Sequence, residues 1–164
     1  AGVPPEEYAM RLVEKGDASL VSFNMSEDDI ERIMRQPWTM TCTDGDLVPL
    51  GEGVPHPRAY GAFARKLKRY VAERATIDIA TAIRSMTSLP ATIYGLKDRG
   101  QLRASAFADV LIFDLAKVND AATYDKPHQF SQGFDDIIVN GAVVRRDGVF
   151  TDALSGRVLR PERQ

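Results

Sequence analysis

The 164 residues carry 21 Lys and Arg against 23 Asp and Glu, a net charge of −2, and 44% of them are hydrophobic. That balance suffices for one folded core and gives no general attraction to nucleic acid or to an anionic membrane surface. A single cysteine, Cys42, excludes an internal disulfide and every CxxC metal or redox motif, and fits a cytoplasmic setting.

No apolar run approaches the roughly 18–20 residues that a membrane helix needs. The first residues, AGVPPEEYAMRLVEKG, are charged early and lack a signal-peptide core. They start without methionine and almost at once in a helical pattern, which reads as a processed or excised segment. Pro5 suits the first turn of that helix, and Tyr8, Leu12 and Val13 recur at helical spacing until Gly16 stops it. ASLVSFNM, from Ala18 to Met25, reads as a buried strand. SEDD, from Ser26 to Asp29, resembles a capping box with Asp in place of Glu, ahead of a helix with Ile30, Ile33 and Met34 on one face. Pro37 closes it, and WTMTC, from Trp38 to Cys42, reads as a second strand that runs into Thr43, Asp44 and Gly45. Helix, strand, helix, strand with short connections predicts parallel βα units, because parallel neighbours need a crossover between them.

A Gly- and Pro-rich loop leads to RAYGAFARKLKRYVAER. There Phe63, Leu67, Tyr70 and Val71 form an apolar stripe, and Arg65, Lys66, Lys68 and Arg74 are placed on the solvated face. Further helices are expected over Ile77–Thr87 and from Pro90 to Gly95. Beyond Asp98 the texture becomes β-rich. RGQLRASAFADVLIFDL holds two brief β segments, and DDIIVNGAVVRRDGVF places two more around Asn140-Gly141, the dipeptide of a type I′ hairpin. Arg146-Asp147-Gly148 marks another turn, and Lys117 to Phe134 is an irregular insert.

Several sites are absent as motifs, among them the GxSxG nucleophile elbow and the GxxxxGK[ST] phosphate loop. With two histidines only, His56 and His128, a zinc site of three protein ligands would have to recruit Asp44, and the spacing does not support it. Asp44 itself has two readings. At the C-terminal end of a parallel strand it occupies the position where (β/α) barrels place catalytic groups. As Asp-Gly it is also an ordinary turn. Arg58, at a helix start where the dipole favours anions, is either a plain surface arginine or a fork for a substrate carboxylate. Cys42 is expected to be a buried small residue.

The stretches TCTDG…HPRAYGAFARKL, MTSLPATIYGLKDRGQLRASAFADVLIFD and VNGAVVRRDG resemble the C-terminal part of the N-acyl-D-amino-acid deacylases, the D-aminoacylase-like branch of the amidohydrolase superfamily. The resemblance covers nearly the whole chain. It implies an α/β fold: the C-terminal segment of a (β/α)₈ metallo-hydrolase barrel plus part of a small β-sandwich. Residues 1–98 would be the terminal βα units and closing helices, with ASLVSFNM similar to the seventh strand and WTMTC to the eighth, and residues 99–164 the sandwich portion. By the same resemblance Asp44 is the catalytic aspartate that takes a proton from a zinc-activated water and passes it to the leaving amine, and is also a candidate metal ligand. Arg58 pairs with the carboxylate of the N-acyl-D-amino acid, and His56 is a secondary substrate-binding candidate. The chain departs from the family at Ser105, where glycine is usual, and in having no counterpart of its N-terminal His-x-His, bridging cysteine or later histidine ligands. A whole barrel takes about 250 residues.

The expected function is therefore part of a zinc-dependent deacylase, with most zinc ligands outside this chain. The missing N-terminal barrel segment would come from a separate chain or a precursor, in an oligomeric assembly acting on a small molecule. A cyclic-amide hydrolase of the dihydroorotase or hydantoinase type is the near alternative, and a non-catalytic structural or interaction fragment the distant one.

Overall fold

The computed structural model describes residues 2–16 and 23–160. Helix α1 spans Pro5–Glu14 and α2 spans Glu27–Met34. Helix α3, Arg58–Arg65, runs without a break into a π-helical segment, Lys66–Glu73, and α4, Ile79–Met86, and α5, Ser88–Ile93, follow. Strands β1 (Val110–Phe113), β2 (Phe134–Val139), β3 (Ala142–Arg146) and β4 (Val149–Phe150) form an antiparallel sheet in the order β1-β2-β3-β4. The chain is thus α/β in content.

The hairpin turns follow from local chemistry. Asn140 and Gly141 have φ of 49° and 83°, the two positive values that a type I′ turn demands, and Asp147 and Gly148 repeat the arrangement with 48° and 81°. Only one of the two β segments expected in RGQLRASAFADVLIFDL is a strand. The other closes into a loop: the Phe107 amide donates to the Asp98 carbonyl at 2.9 Å, and Ser105 takes a φ of 67°. That left-handed conformation is the one glycine favours. The irregular insert is closed by an antiparallel bridge between Asn119 and Gln132.

The parallel strand expected at Trp38–Cys42 is not formed among the described residues, and most of the other, Ala18–Met25, lies outside them. Among the described residues, 39–43 have no ladder partner. Their backbone finds a helix instead, the Thr41 amide donating to the Ser85 carbonyl at 3.0 Å. Nor does the expected capping box close: the Ser26 side chain makes no capping bond, and Glu27, Asp28 and Asp29 meet the helix dipole as charges.

The core lies where the α3–π helix, α4 and the sheet meet. Ala64, Leu67, Ile77, Ala82 and Val118 are buried, with Phe113 and Phe134 packed against them. Helix α2 is clipped to the π segment by charge. Glu31 pairs with Arg35 at 2.8 Å and with Arg74, and Glu27 pairs with Arg69 at 3.2 Å. The hydrogen bond from Arg74 holds the Glu31 carboxyl below its ordinary range.

Lys66 reverses its expected place. It is 5% exposed, not solvated. Its Nζ donates to Thr41 Oγ1 and to Ser85 Oγ, both at 2.7 Å, and Ser85 Oγ donates onward to the Ala82 carbonyl at 2.7 Å. Among the described residues no carboxylate pairs with it, and burial holds the ammonium below 10.5. A hydrogen bond to a charged group is worth about 1.5–3 kcal/mol, and a neutral one about 1. Ser85→Ala is therefore expected to cost about 1.5–3 kcal/mol in the native background and about 1 kcal/mol once Lys66→Met has removed the charge. Urea unfolding of the four proteins of this cycle checks it, and equal costs in both backgrounds would contradict it. The sign with pH is also fixed. The folded chain releases the Lys66 proton before the unfolded chain does, so the burial penalty eases as pH rises through the folded pKa toward 10.5.

Candidate active site

Two threonines hold the segment against the helices, and a third braces its own turn. Thr39 Oγ1 donates to the Ile33 carbonyl at 2.7 Å, Thr41 meets Lys66 and Ser85, and Thr43 Oγ1 accepts from the Gly45 amide at 3.3 Å. Side chains alternate along an extended backbone, and at the intervening positions Cys42 and Asp44 are exposed. The expectation of a buried Cys42 is thus corrected: the threonine hydroxyls, with their buried lysine partner, take the inward positions.

Asp44 takes a φ of 48°, so the left-handed residue of the Asp-Gly pair is the aspartate and not the glycine. Gly45 is needed for another reason. A Cβ there would stand 2.7 Å from the Ala59 Cα, because the segment crosses the start of α3 in backbone contact. This crossing brings Asp44 Oδ2 to 3.0 Å from Arg58 Nη2. The side chains are 82% and 43% exposed. An exposed pair contributes at most about 1 kcal/mol, so its consequence is orientation. It also resolves the poor placement of Arg58 at a helix start, since the Asp44 carboxylate supplies the negative charge there.

His56 lies beside this pair. Its Nδ1 accepts from the Arg58 amide at 3.0 Å, and its Nε2 faces the Tyr124 hydroxyl at 3.2 Å. Partial burial first, and then the Arg58 charge, lower its pKa below 6.5, while Asp44 opposes them. A cleft of 290 Å³ opens alongside, lined by His56, Arg58, Arg65, Asp120 and Tyr124.

His128 has a different task. Its Nδ1 faces the Tyr60 hydroxyl at 2.9 Å and accepts from the Gly51 amide at 3.2 Å, while Nε2 reaches the Gly53 carbonyl at 3.1 Å. It pins the glycine loop that separates Asp44 from Arg58. Among the described residues no group of three or more His, Cys, Asp or Glu is placed to hold a metal, so these residues do not by themselves fit a zinc ion. Tyr124 and Asp120 escaped sequence reasoning because they lie in an irregular insert with no motif around them.

Residues 4–145 match the amidohydrolase family, and the chain belongs to it. It is 41% identical over 142 residues to the D-aminoacylase of Alcaligenes xylosoxydans xylosoxydans, covering 87% of this chain and 29% of that protein. A solved D-aminoacylase with a binuclear metal centre superposes with a TM-score of 0.77 at 40% identity, covering 83% of this chain and 28% of the other. The N-acyl-D-glutamate deacylase of Bordetella bronchiseptica, solved with zinc and a phosphonate mimic of the tetrahedral intermediate, gives a TM-score of 0.68 at 39% identity over 80% and 28% of the two chains. The chain spans less than a third of the length of these relatives.

Proposed function

We propose that the protein carrying this chain is a zinc-dependent amidohydrolase that cleaves the amide bond of N-acyl-D-amino acids, and that this chain forms one wall of its active site. Residues 1–98 serve as the terminal βα units and closing helices of a (β/α)₈ barrel and residues 99–164 as part of a β-sandwich. The observation that carries the reading is the Asp44–Arg58 pair at 3.0 Å, a proton acceptor and a carboxylate fork on one rim. The similarity to a D-aminoacylase and to an N-acyl-D-glutamate deacylase supports the substrate class. Exposed apolar side chains, among them Phe23, Trp38 and Leu47, support further barrel elements packing on this chain.

In this reading zinc is held by residues outside the chain, on a precursor segment or a separate chain of an oligomeric cytoplasmic assembly. The contributions of this chain are two. Arg58 binds the α-carboxylate of the substrate, using the donors of its fork that Asp44 leaves open. Asp44 accepts a proton from the water that attacks the amide carbon, and returns it to the nitrogen as the carbon–nitrogen bond breaks. Free carboxylate and amine result.

The test is hydrolysis of N-acetyl-D- and N-acetyl-L-amino acids by the full protein before and after chelation. Hydrolysis of the D substrate, lost on chelation and restored by zinc, is expected. Equal rates on both enantiomers, or a rate indifferent to chelation, would overturn the reading. Gly45→Ala supplies a further check. Its methyl group meets backbone and not a yielding side chain, so Asp44 and Arg58 must part. A displacement of about 1 Å can cost about 10²-fold in rate, and kcat/KM is expected to fall by about that factor.

A further inference from the structure

The start of α3 is built on a side chain. The Arg58 amide is one of the helix N–H groups with no partner inside the helix, and it donates to His56 Nδ1 at 3.0 Å. That bond occupies the Nδ1 lone pair, so the neutral ring carries its proton on Nε2. The Nε2–H then points at Tyr124 Oη at 3.2 Å, and the two rings meet edge to face with centroids 5.1 Å apart.

Tyr124 is itself held in place. Its insert is laced along α3 and the π segment by Arg65–Asp120 at 3.2 Å, by Lys68 donating to Asn119 Oδ1 at 2.6 Å, and by Ser131 Oγ donating to the Tyr60 carbonyl at 2.8 Å. Gly61 admits this approach, since a Cβ there would come 3.1 Å from Asp120 Cβ. Phe23 packs on the tyrosine ring with centroids 5.2 Å apart. A fixed hydroxyl thus holds an imidazole, and the imidazole holds the amide of the arginine that projects beside Asp44.

We propose that Tyr124 is a positioning residue for the carboxylate fork: through His56 it fixes the first turn of α3 and so the direction in which Arg58 leaves the helix. This rests on Arg58 binding the substrate carboxylate. Without the Tyr124 oxygen the imidazole turns about its side-chain bonds, the Arg58 amide loses its partner for part of the time, and the fork meets the carboxylate in fewer productive orientations. The effect falls on substrate binding, because Tyr124 takes no part in proton transfer.

Tyr124→Phe keeps the ring contacts with His56 and Phe23 and removes one oxygen. In the zinc-loaded full protein it is expected to raise KM for N-acyl-D-amino acids about tenfold, the equivalent of one hydrogen bond. The rise is expected to disappear with the matching carboxamide substrate and in an Arg58→Ala background. An unchanged KM, or the same rise with the carboxamide, would overturn the proposal. A second measurement needs no turnover: the imidazole ¹⁵N shifts of His56 report the Nε2–H tautomer in the native protein and are expected to change in Tyr124→Phe. Unchanged shifts overturn the positioning role whatever the substrate is, whereas changed shifts in a protein that hydrolyses no N-acyl-D-amino acid sustain the link to His56 and overturn its role in carboxylate binding.

Discussion

Asp44→Asn in the zinc-loaded protein is expected to lower kcat for N-acyl-D-amino acids by about 10²–10⁴-fold, the range that a positioned general base contributes. Asparagine has nearly the same shape, and its amide oxygen can take the place of the carboxylate oxygen 3.0 Å from Arg58 Nη2 without the charge. What it lacks is the ability to take a proton at the moment the water attacks. The loss therefore falls on kcat, with KM changed much less. The left-handed backbone at Asp44, with φ of 48°, favours the substitution as a clean test, because asparagine tolerates that conformation as well as aspartate does. A variant that keeps its turnover would remove Asp44 from the chemistry and leave it a turn residue.

The second large effect is expected at Arg58. Its Nη2 lies 3.0 Å from Asp44 Oδ2, and a guanidinium presents five donors in a rigid fork. A carboxylate can dock on the remaining edge while the aspartate keeps its hold. Arg58→Ala is expected to raise KM for the carboxylate substrate by about 10- to 10²-fold, the value of charge-assisted hydrogen bonds of about 1.5–3 kcal/mol. The carboxamide analogue should lose far less. Arg58→Lys is expected to recover only part of the affinity, since a point charge does not reproduce two parallel bonds. Steady-state kinetics on the matched pair of substrates checks this. Equal losses on both substrates would mean that Arg58 acts through the fold and not through the carboxylate.

The two roles are coupled by the segment that carries them. Lys66, Thr41 and Ser85 fix the inner side of residues 39–43, and Gly45 lets the outer end cross α3 at backbone distance. His128 ties down the intervening loop through Gly51 and Gly53. The rim is thus held at both ends and in the middle, which is the condition for an aspartate and an arginine to meet one small substrate together.

Local signals were legible in the sequence and distant ones were not. Asn140-Gly141 announces its turn because the φ values are set by the two residues themselves. Helix α1 follows from Pro5 and the spacing of Tyr8 and Leu12. Lys66 was misplaced because charge argues for solvent, and its partners Thr41 and Ser85 lie far away in the chain. Among the described residues the stretch Trp38–Cys42 has no strand neighbour, and the Thr41 amide bonds to the Ser85 carbonyl of α4, a partner the sequence does not announce. At the site, residue spacing left Asp44 as either a turn or a base, and only the family resemblance singled it out together with Arg58. By residue type His128 is a possible metal ligand, whereas its two nitrogens are spent on the loop and on Tyr60. Tyr124 carried no signal at all, since its meaning comes from a histidine on another element.

The most direct measurement is a crystal structure of the full metal-loaded protein with a phosphonate mimic of the tetrahedral intermediate of an N-acyl-D-amino acid. The expected result places an Asp44 carboxylate oxygen about 2.6–3.2 Å from a phosphonate oxygen, with the Arg58 guanidinium on the carboxylate of the same molecule. A complex in which the inhibitor binds the metal while Asp44 and Arg58 pair only with each other, away from it, would contradict the assignment of this chain as a wall of the active site.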